Sequence, residues 1–277
     1  MSYVVLIQIH DEAEKLFRCL QALANQTQLP QKVIIVDDGT PNTSIYDQYT
    51  LILRSFGLTG MEVEYARAAV AKQPNLDTVG KAILYIWKRL LYSKDNYDFL
   101  SILDVDSFPE TTYYEKLIAE MSADPNLVCA SGVIQVNGIK EELISAKVIK
   151  RTDARGSGKI IRTDFLANIS LTLFPEVAWD TWINVKAKLA RKKTLQIPEA
   201  ILYSDRTTTR LAKGNNFRDG RLTYHFGYNP LLLGYKILFR GKDIWKGYCD
   251  AKKNNWVLPD PEVRSWFGWK YLFHFWR

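Results

Sequence analysis

The chain has 277 residues, 47% of them hydrophobic and 24% charged, which suits one large globular domain with or without an extension and excludes a disordered chain. A formal charge of +7, with many of the 37 Lys and Arg after residue 140, points towards nucleic acid, anionic lipid or phosphorylated substrates without choosing among them. Cys19, Cys129 and Cys249 have no CxxC or Cys/His spacing, which argues against a disulfide framework and a structural zinc site, and no stretch of 18 apolar residues is present to span a bilayer.

The opening MSYVVLIQIHDEAEK lacks the basic n-region and cleavage site of a secretory leader, so a reduced, cytoplasmic location is expected. Within it, YVVLIQI (3–9) is β-branched and almost wholly apolar, as a strand covered on both faces should be. The period then changes. Asp11 and Glu14 have capping-box spacing, and Leu16, Cys19, Leu20 and Leu23 recur at helical intervals, which predicts a helix over 12–25 packed back on the sheet. KVIIVDD (32–38) reads as a second strand ending in a Gly-Thr-Pro turn, followed by a helix near 43–56. MEVEYA (61–66) reads as a third strand, and Thr78 starts a helix with Val79, Ile83, Ile86, Trp87 and Leu90 on one face. The fourth strand is 98–104. A helix over 111–123, a strand at 127–134, a basic stretch over 140–163 containing RGSGKIIR, and a helix over 177–191 follow. This alternation predicts an α/β chain with an open, mostly parallel, Rossmann-like sheet flanked by helices, whose ligands bind beyond the carboxyl ends of the strands.

Asp37, Asp38, Asp104 and Asp106 all fall at such ends. In SILDVDSFPE (101–110) the two aspartates, at i and i+2, would share one face of a regular strand, and Ser107, Phe108 and Pro109 signal a turn near Asp106. Two adjacent carboxylates repel unless a cation neutralises them, and hard oxygen donors suit Mg²⁺ or Mn²⁺; the plainer alternative is a pair of loop-entry aspartates capping the next helix. In Asp37-Asp38-Gly39-Thr40 an aspartate can accept from a base edge or a ribose hydroxyl while Gly39 makes the tight turn. No GxGxxG or GxxxxGKS motif is present, which argues against a dinucleotide enzyme and a P-loop NTPase.

VVLIQIHDEAEKLFRCLQALANQTQLPQKVIIVDDGTPNTS followed by DFLSILDVDSFPE resembles the inverting, family-2-type glycosyltransferases with a GT-A fold, and the likeness continues more weakly through FPEVAWDTWINVKA (174–187) and IPEAILYSDRTTTR (197–210). The resemblance implies a nucleotide-sugar donor whose nucleoside contacts Asp37 and Asp38, with Asp104 and Asp106 on the ribose and the metal-bridged diphosphate. It implies Mn²⁺ or Mg²⁺ as cofactor, Asp106 as metal ligand, and His225, in YHFGYN, as a metal or diphosphate ligand. Lys81, in Gly80-Lys81-Ala82, resembles the family's donor-side Gly-Lys-Ala element. The family's catalytic base lies in a Glu-Asp pair; Trp179-Asp180 stands at the matching place, so Asp180 inherits the role without its preceding Glu, and Glu176 is the reserve candidate. For the leaving diphosphate, Lys159, Arg162, Arg206, Arg210, Arg218 and Arg221 are available, Arg162 and Arg210 foremost. The domains expected are a nucleotide-sugar-binding half over 1–135, an acceptor-side catalytic half of the same domain over 136–229, and a basic aromatic extension over 230–277.

That extension, with PLLLGYKILFRGKDIWKGY (230–248) and WFGWKYLFHFWR (266–277), interleaves aromatic and basic residues in a manner that suits a bilayer interface, a dimer interface or a core edge. No recognised nucleic-acid module is present, so nucleic acid is not an expected partner. The function expected is metal-dependent transfer of a sugar, with inversion, from a nucleotide-sugar donor to a hydroxyl acceptor, lipid-linked carriers and polysaccharides included, by a cytoplasmic enzyme, either free or peripheral on the cytoplasmic face of a membrane. A sugar-phosphate nucleotidyltransferase is a rival, although QIHDEAEK is acidic where that class needs a Gly-rich, basic phosphate loop. The other rival is a non-catalytic membrane- or polyanion-binding protein on a degenerate transferase fold.

Overall fold

The computed structural model describes residues 1–10, 12–37, 48, 51–52, 54, 62–67, 83–84, 86–88, 90, 96–136, 139–140, 153–175, 177–205 and 215–270. The chain divides into two units, residues 1–171 with 176–206, and residues 172–175 with 207–277. The stretch expected over 136–229 is thereby distributed between the two units.

In the first unit, β1 (Tyr3–Ile9), β2 (Lys32–Asp37), β3 (Glu62–Arg67) and β4 (Phe99–Asp104) form a parallel set ordered β3-β2-β1-β4. Both faces of β1 are buried, which is why its sequence shows no polar alternation. One face carries Tyr3, Val5, Ile7 and Ile9 and packs in a core with Leu16, Cys19, Leu20 and Leu23 of α1 (Ala13–Ala24). Helix α1 begins after Glu12, which makes no side-chain cap bond. Asp11, the expected cap, lies outside the described residues.

Beyond β4 the sheet changes character. After Val105 and Asp106 come β5 (Ser107–Pro109), α2 (Tyr113–Ala123), β6 (Leu127–Val136), β7 (Ile139–Lys140), β8 (Lys159–Arg162), α3 (Thr163–Ala167), α4 (Trp179–Leu189) and β9 (Lys193–Ser204). The sheet continues β4-β8-β6-β9-β5, with β8 antiparallel to both β4 and β6, and β6 parallel to β9. The β8 insertion was hidden by its length: KIIR is four residues, too short for periodicity to register. Tyr113 and Tyr114 of α2 are wholly buried; the Tyr114 hydroxyl and Ser101 Oγ share a bond of 2.9 Å.

The second unit is helical: α5 (Asn215–His225), α6 (Pro230–Arg240), α7 (Lys242–Lys253) and α8 (Pro261–Ser265), followed by a π-helical turn at 266–270. Helices α5 and α7 meet backbone to backbone, since a Cβ on Gly220 would stand 2.0 Å from Ile244 O and one on Gly247 1.9 Å from Phe217 O. Among the described residues no helix is long and apolar enough to cross a membrane. The three cysteines are free, with Cys19 and Cys129 buried.

Candidate active site

The parallel register sets the ends of two acidic strands on either side of β1. Ile9 pairs with Asp37 and Gln8 with Asp104, so both aspartates end strands that flank β1, two strand spacings or about 10 Å apart. Asp37 is fully buried and accepts a hydrogen bond from the Tyr65 hydroxyl of β3 at 2.6 Å. Asp104 is exposed, whereas Asp106 is buried after a turn through Val105 and Asp106. The thiol of Cys19, beneath this rim on α1, is pushed well up, first by burial and then by the negative charges of Asp104 and Asp106.

A second chain segment crosses the same rim. Within RGSG (155–158), the Arg155 N–H donates to Ser131 Oγ at 2.7 Å. Ser157 Oγ accepts from the Asp104 N–H at 3.0 Å and donates to Ser107 Oγ at 2.9 Å. Gly158 has φ +67°, a conformation side chains rarely adopt, and its carbonyl accepts from the Tyr113 hydroxyl at 2.9 Å. Gly156 lies against Asp180: a Cβ there would be 3.4 Å from Asp180 Oδ2. One dipeptide, Gly156-Ser157, therefore touches both Asp180 and the backbone of Asp104. The cap of α4 is Ala178 in the left-handed region, so Asp180 is not the N-cap; it sits in the first turn, where the helix dipole favours a negative charge.

Lys159 holds that turn. Its ammonium is fully buried, donating to Asp180 O at 2.8 Å and Asn184 Oδ1 at 3.2 Å, and lying 5.5 Å from the centre of the Trp179 ring. Asn184 in turn donates to Ala154 O at 2.9 Å, closing a polar network around the RGSG segment. At the other side of the rim, Asp205 donates its N–H to Asp106 O at 3.3 Å and takes an ion pair from Arg18, whose guanidinium lies 4.2 Å from the Phe108 ring centre.

Two of the basic residues expected at the diphosphate are elsewhere. Arg162 pairs with Phe99 at the start of β4, five residues from Asp104, and its guanidinium donates to Leu127 O at 3.1 Å and to Met121 O. The antiparallel run of β8 carries it to the amino end of β4. Lys159 faces the interior and is committed to α4. His225 closes α5 in the second unit, stacked on Trp256 at 4.3 Å, its imidazole pushed down to about 4 by burial and then by the nearby cations Arg264 and Arg221. Arg221 is ion-paired with Asp250 at 3.2 Å. Among the described residues no three His, Cys, Asp or Glu side chains converge as a metal site. Asp38, Lys81, Glu176, Arg206 and Arg210 lie outside the described residues. Tyr65, Ser107, Ser157 and Asp205 were not foreseen; the only sequence signal was the pair of glycines around Ser157, which marks a close approach of backbone.

No curated protein matches this chain. Among solved structures, S. aureus TarS 1-349 in complex with UDP-GlcNAc is similar with a TM-score of 0.56 at 16% identity, covering 81% of this chain and 66% of that one. The mannosyltransferase PcManGT from Pyrobaculum calidifontis, in complex with GDP-Man and Mn²⁺, gives 0.62 at 13% identity over 81% of this chain and 62% of that one. GalNAc-T7 with UDP, GalNAc and Mn²⁺ gives 0.58 at 13% identity over 82% and 48%. The chain thus spans less than two thirds of the length of TarS 1-349, 64% in the unliganded structure. At these identities the likeness speaks to the fold, which is GT-A: a mixed sheet flanked by helices. Residues 4–163, more than half of the sequence, match the model of glycosyl transferase family 2, and the chain belongs to that family.

Proposed function

We propose that the protein is a metal-dependent, inverting hexosyltransferase that moves a sugar from a nucleotide-sugar donor to a hydroxyl on a lipid-linked or polysaccharide acceptor. The observation that carries this reading is the Gly156-Ser157 tie, which sets Asp180 and Asp104 on one rim at the carboxyl ends of the strands. Donors of the same kind, UDP-GlcNAc and GDP-Man, occupy two of the similar structures and support the choice of substrate class.

Asp37 and Asp38 contact the nucleoside, Lys81 lies on the donor side, and Arg210 faces the leaving diphosphate. Asp104 and Asp106 face the ribose and diphosphate. One or two carboxylates completed by phosphate oxygens is an ordinary donor set for Mg²⁺ or Mn²⁺, so this rim fits such a cation without a third protein ligand, and Asp106 is its proposed holder. When bound, the cation neutralises charge on the departing diphosphate. His225 is kept as a proposed metal or diphosphate ligand in its neutral form. Asp180 takes the proton of the acceptor hydroxyl as its oxygen bonds to the anomeric carbon; the bond to the diphosphate breaks with its electron pair, and one displacement inverts the centre. The three free cysteines support a reduced compartment, the cytoplasm.

The test is Asp180→Asn. Release of nucleoside diphosphate from a panel of nucleotide sugars should fall by about 10²–10⁴, while thermal stabilisation by UDP, GDP, CDP or dTDP with Mn²⁺ persists. Near-normal turnover would remove Asp180 as base. No stabilisation by any nucleotide in the wild-type protein would favour the non-catalytic reading.

A further inference from the structure

The second unit carries a surface that the transferase reading does not use. Residues 207–277 hold 13 of the 37 Lys and Arg but only 5 of the 30 Asp and Glu, a formal +8, so the remainder of the chain is close to neutral. The whole basic character of the protein resides there.

In the same unit, α6 has two apolar faces. Leu232 and Leu233 are buried, and Lys236 points inward to Asp219 at 3.0 Å. On the other side Leu231, Tyr235, Leu238 and Phe239 recur at i, i+4, i+7 and i+8 and are 68%, 54%, 78% and 67% exposed, a continuous stripe along the helix. Exposed large hydrophobic side chains are ordinary singly; a stripe of four on one helix face marks an interaction surface. The next helix, α7, packs against α6 and is amphipathic in the other sense. Its inner face is Ile244, Gly247 and Ala251, and its outer face presents Lys242, Trp245, Lys246, Lys252 and Lys253, with Trp245 half exposed among the lysines. Asp243, exposed and 3.0 Å from Lys246, is the acid on that face.

An apolar stripe with aromatic rings, beside a helix that sets a tryptophan among lysines, is the composition that seats in the interfacial layer of an anionic membrane: rings at headgroup depth, aliphatic side chains against the acyl boundary, ammonium groups on lipid phosphates. We propose that α6 and α7 form a monotopic docking surface for an anionic bilayer, with Leu231, Tyr235, Leu238 and Phe239 entering the interface and Lys242 and Lys246 binding its phosphates. A second protein copy would account for the stripe but leaves the concentrated cations facing cations. A soluble polyanion would account for the cations and leaves the stripe in water. The inference stands on the second unit alone and survives if the transferase reading fails.

The experiment is co-flotation of the full chain with vesicles of phosphatidylcholine alone and with about one third phosphatidylglycerol, at low and high salt, an ionic contrast that screening makes informative. Binding only to the anionic vesicles, weakened by salt, is expected. Leu238→Glu with Phe239→Glu, both at exposed positions, should abolish it at an unchanged melting temperature, and Lys242→Gln with Lys246→Gln should weaken it about tenfold or more. Absence of binding to anionic vesicles at low salt overturns the proposal. So does binding that loses nothing in the Leu238/Phe239 variant, which would indicate a polyanion surface, and so does a wild-type dimer that the same variant makes monomeric without any vesicle binding.

Discussion

Lys159→Met removes the buried ammonium that ties α4 to the RGSG segment and substitutes an apolar chain of similar length. Two acceptors, Asp180 O and Asn184 Oδ1, lose their donor at 2.8 and 3.2 Å, and a buried acceptor left without a partner costs about 1–3 kcal/mol. The cation over Trp179 at 5.5 Å contributes about 1 kcal/mol more. Opposing these is the release of a desolvated charge, the reason that apolar replacement of a buried ion is sometimes neutral. The balance expected is a loss of about 3 kcal/mol, which at about 2–4 °C per kcal/mol for a chain of this size lowers the melting temperature by roughly 6–12 °C. Thermal unfolding by circular dichroism, with and without nucleotide and Mn²⁺, reads it. Because Asp180 sits on the turn that Lys159 holds, turnover should fall further than donor binding. A variant as stable as the parent would refute the reasoning, showing that the burial cost of the ammonium cancels its bonds.

Tyr65→Phe deletes the donor that Asp37 accepts from at 2.6 Å; a loss of about 1–3 kcal/mol in stability and weaker nucleotide binding by calorimetry are expected, and unchanged values of both would show that other contacts alone hold Asp37. His225, pushed down to about 4 in the folded protein, takes its proton more readily in the unfolded chain, where imidazole titrates near 6.5. Stability from this group is therefore complete above about pH 7 and is lost as pH falls towards 4, by about 3 kcal/mol in all. Melting temperatures across that range should flatten in His225→Phe; a fall that persists undiminished would belong to other groups.

The parallel strands β1, β2, β3 and β4 and the helix α1 were legible because each is long enough to show its apolar run or its period. The same local logic located Asp37, Asp104 and Asp106, since an apolar run that stops at an acidic residue marks where a buried strand ends. Which residues meet across the rim was not legible. Strand direction decides that, and β8 shows how: read as a basic stretch, RGSGKIIR offers Arg162 first and Lys159 after it to a diphosphate, yet its antiparallel course sends Arg162 to the amino end of β4 and turns Lys159 into the interior. Gly156 and Ser157 join Asp180 to Asp104 although 24 and 53 residues separate them from those partners, a contact set by loop closure with no local periodicity to betray it. The basic, aromatic composition of the C-terminal region was evident from the residues themselves. Which of its apolar side chains are buried and which face outward was decided only by packing, because α6 is apolar on two sides and its neighbours cover one.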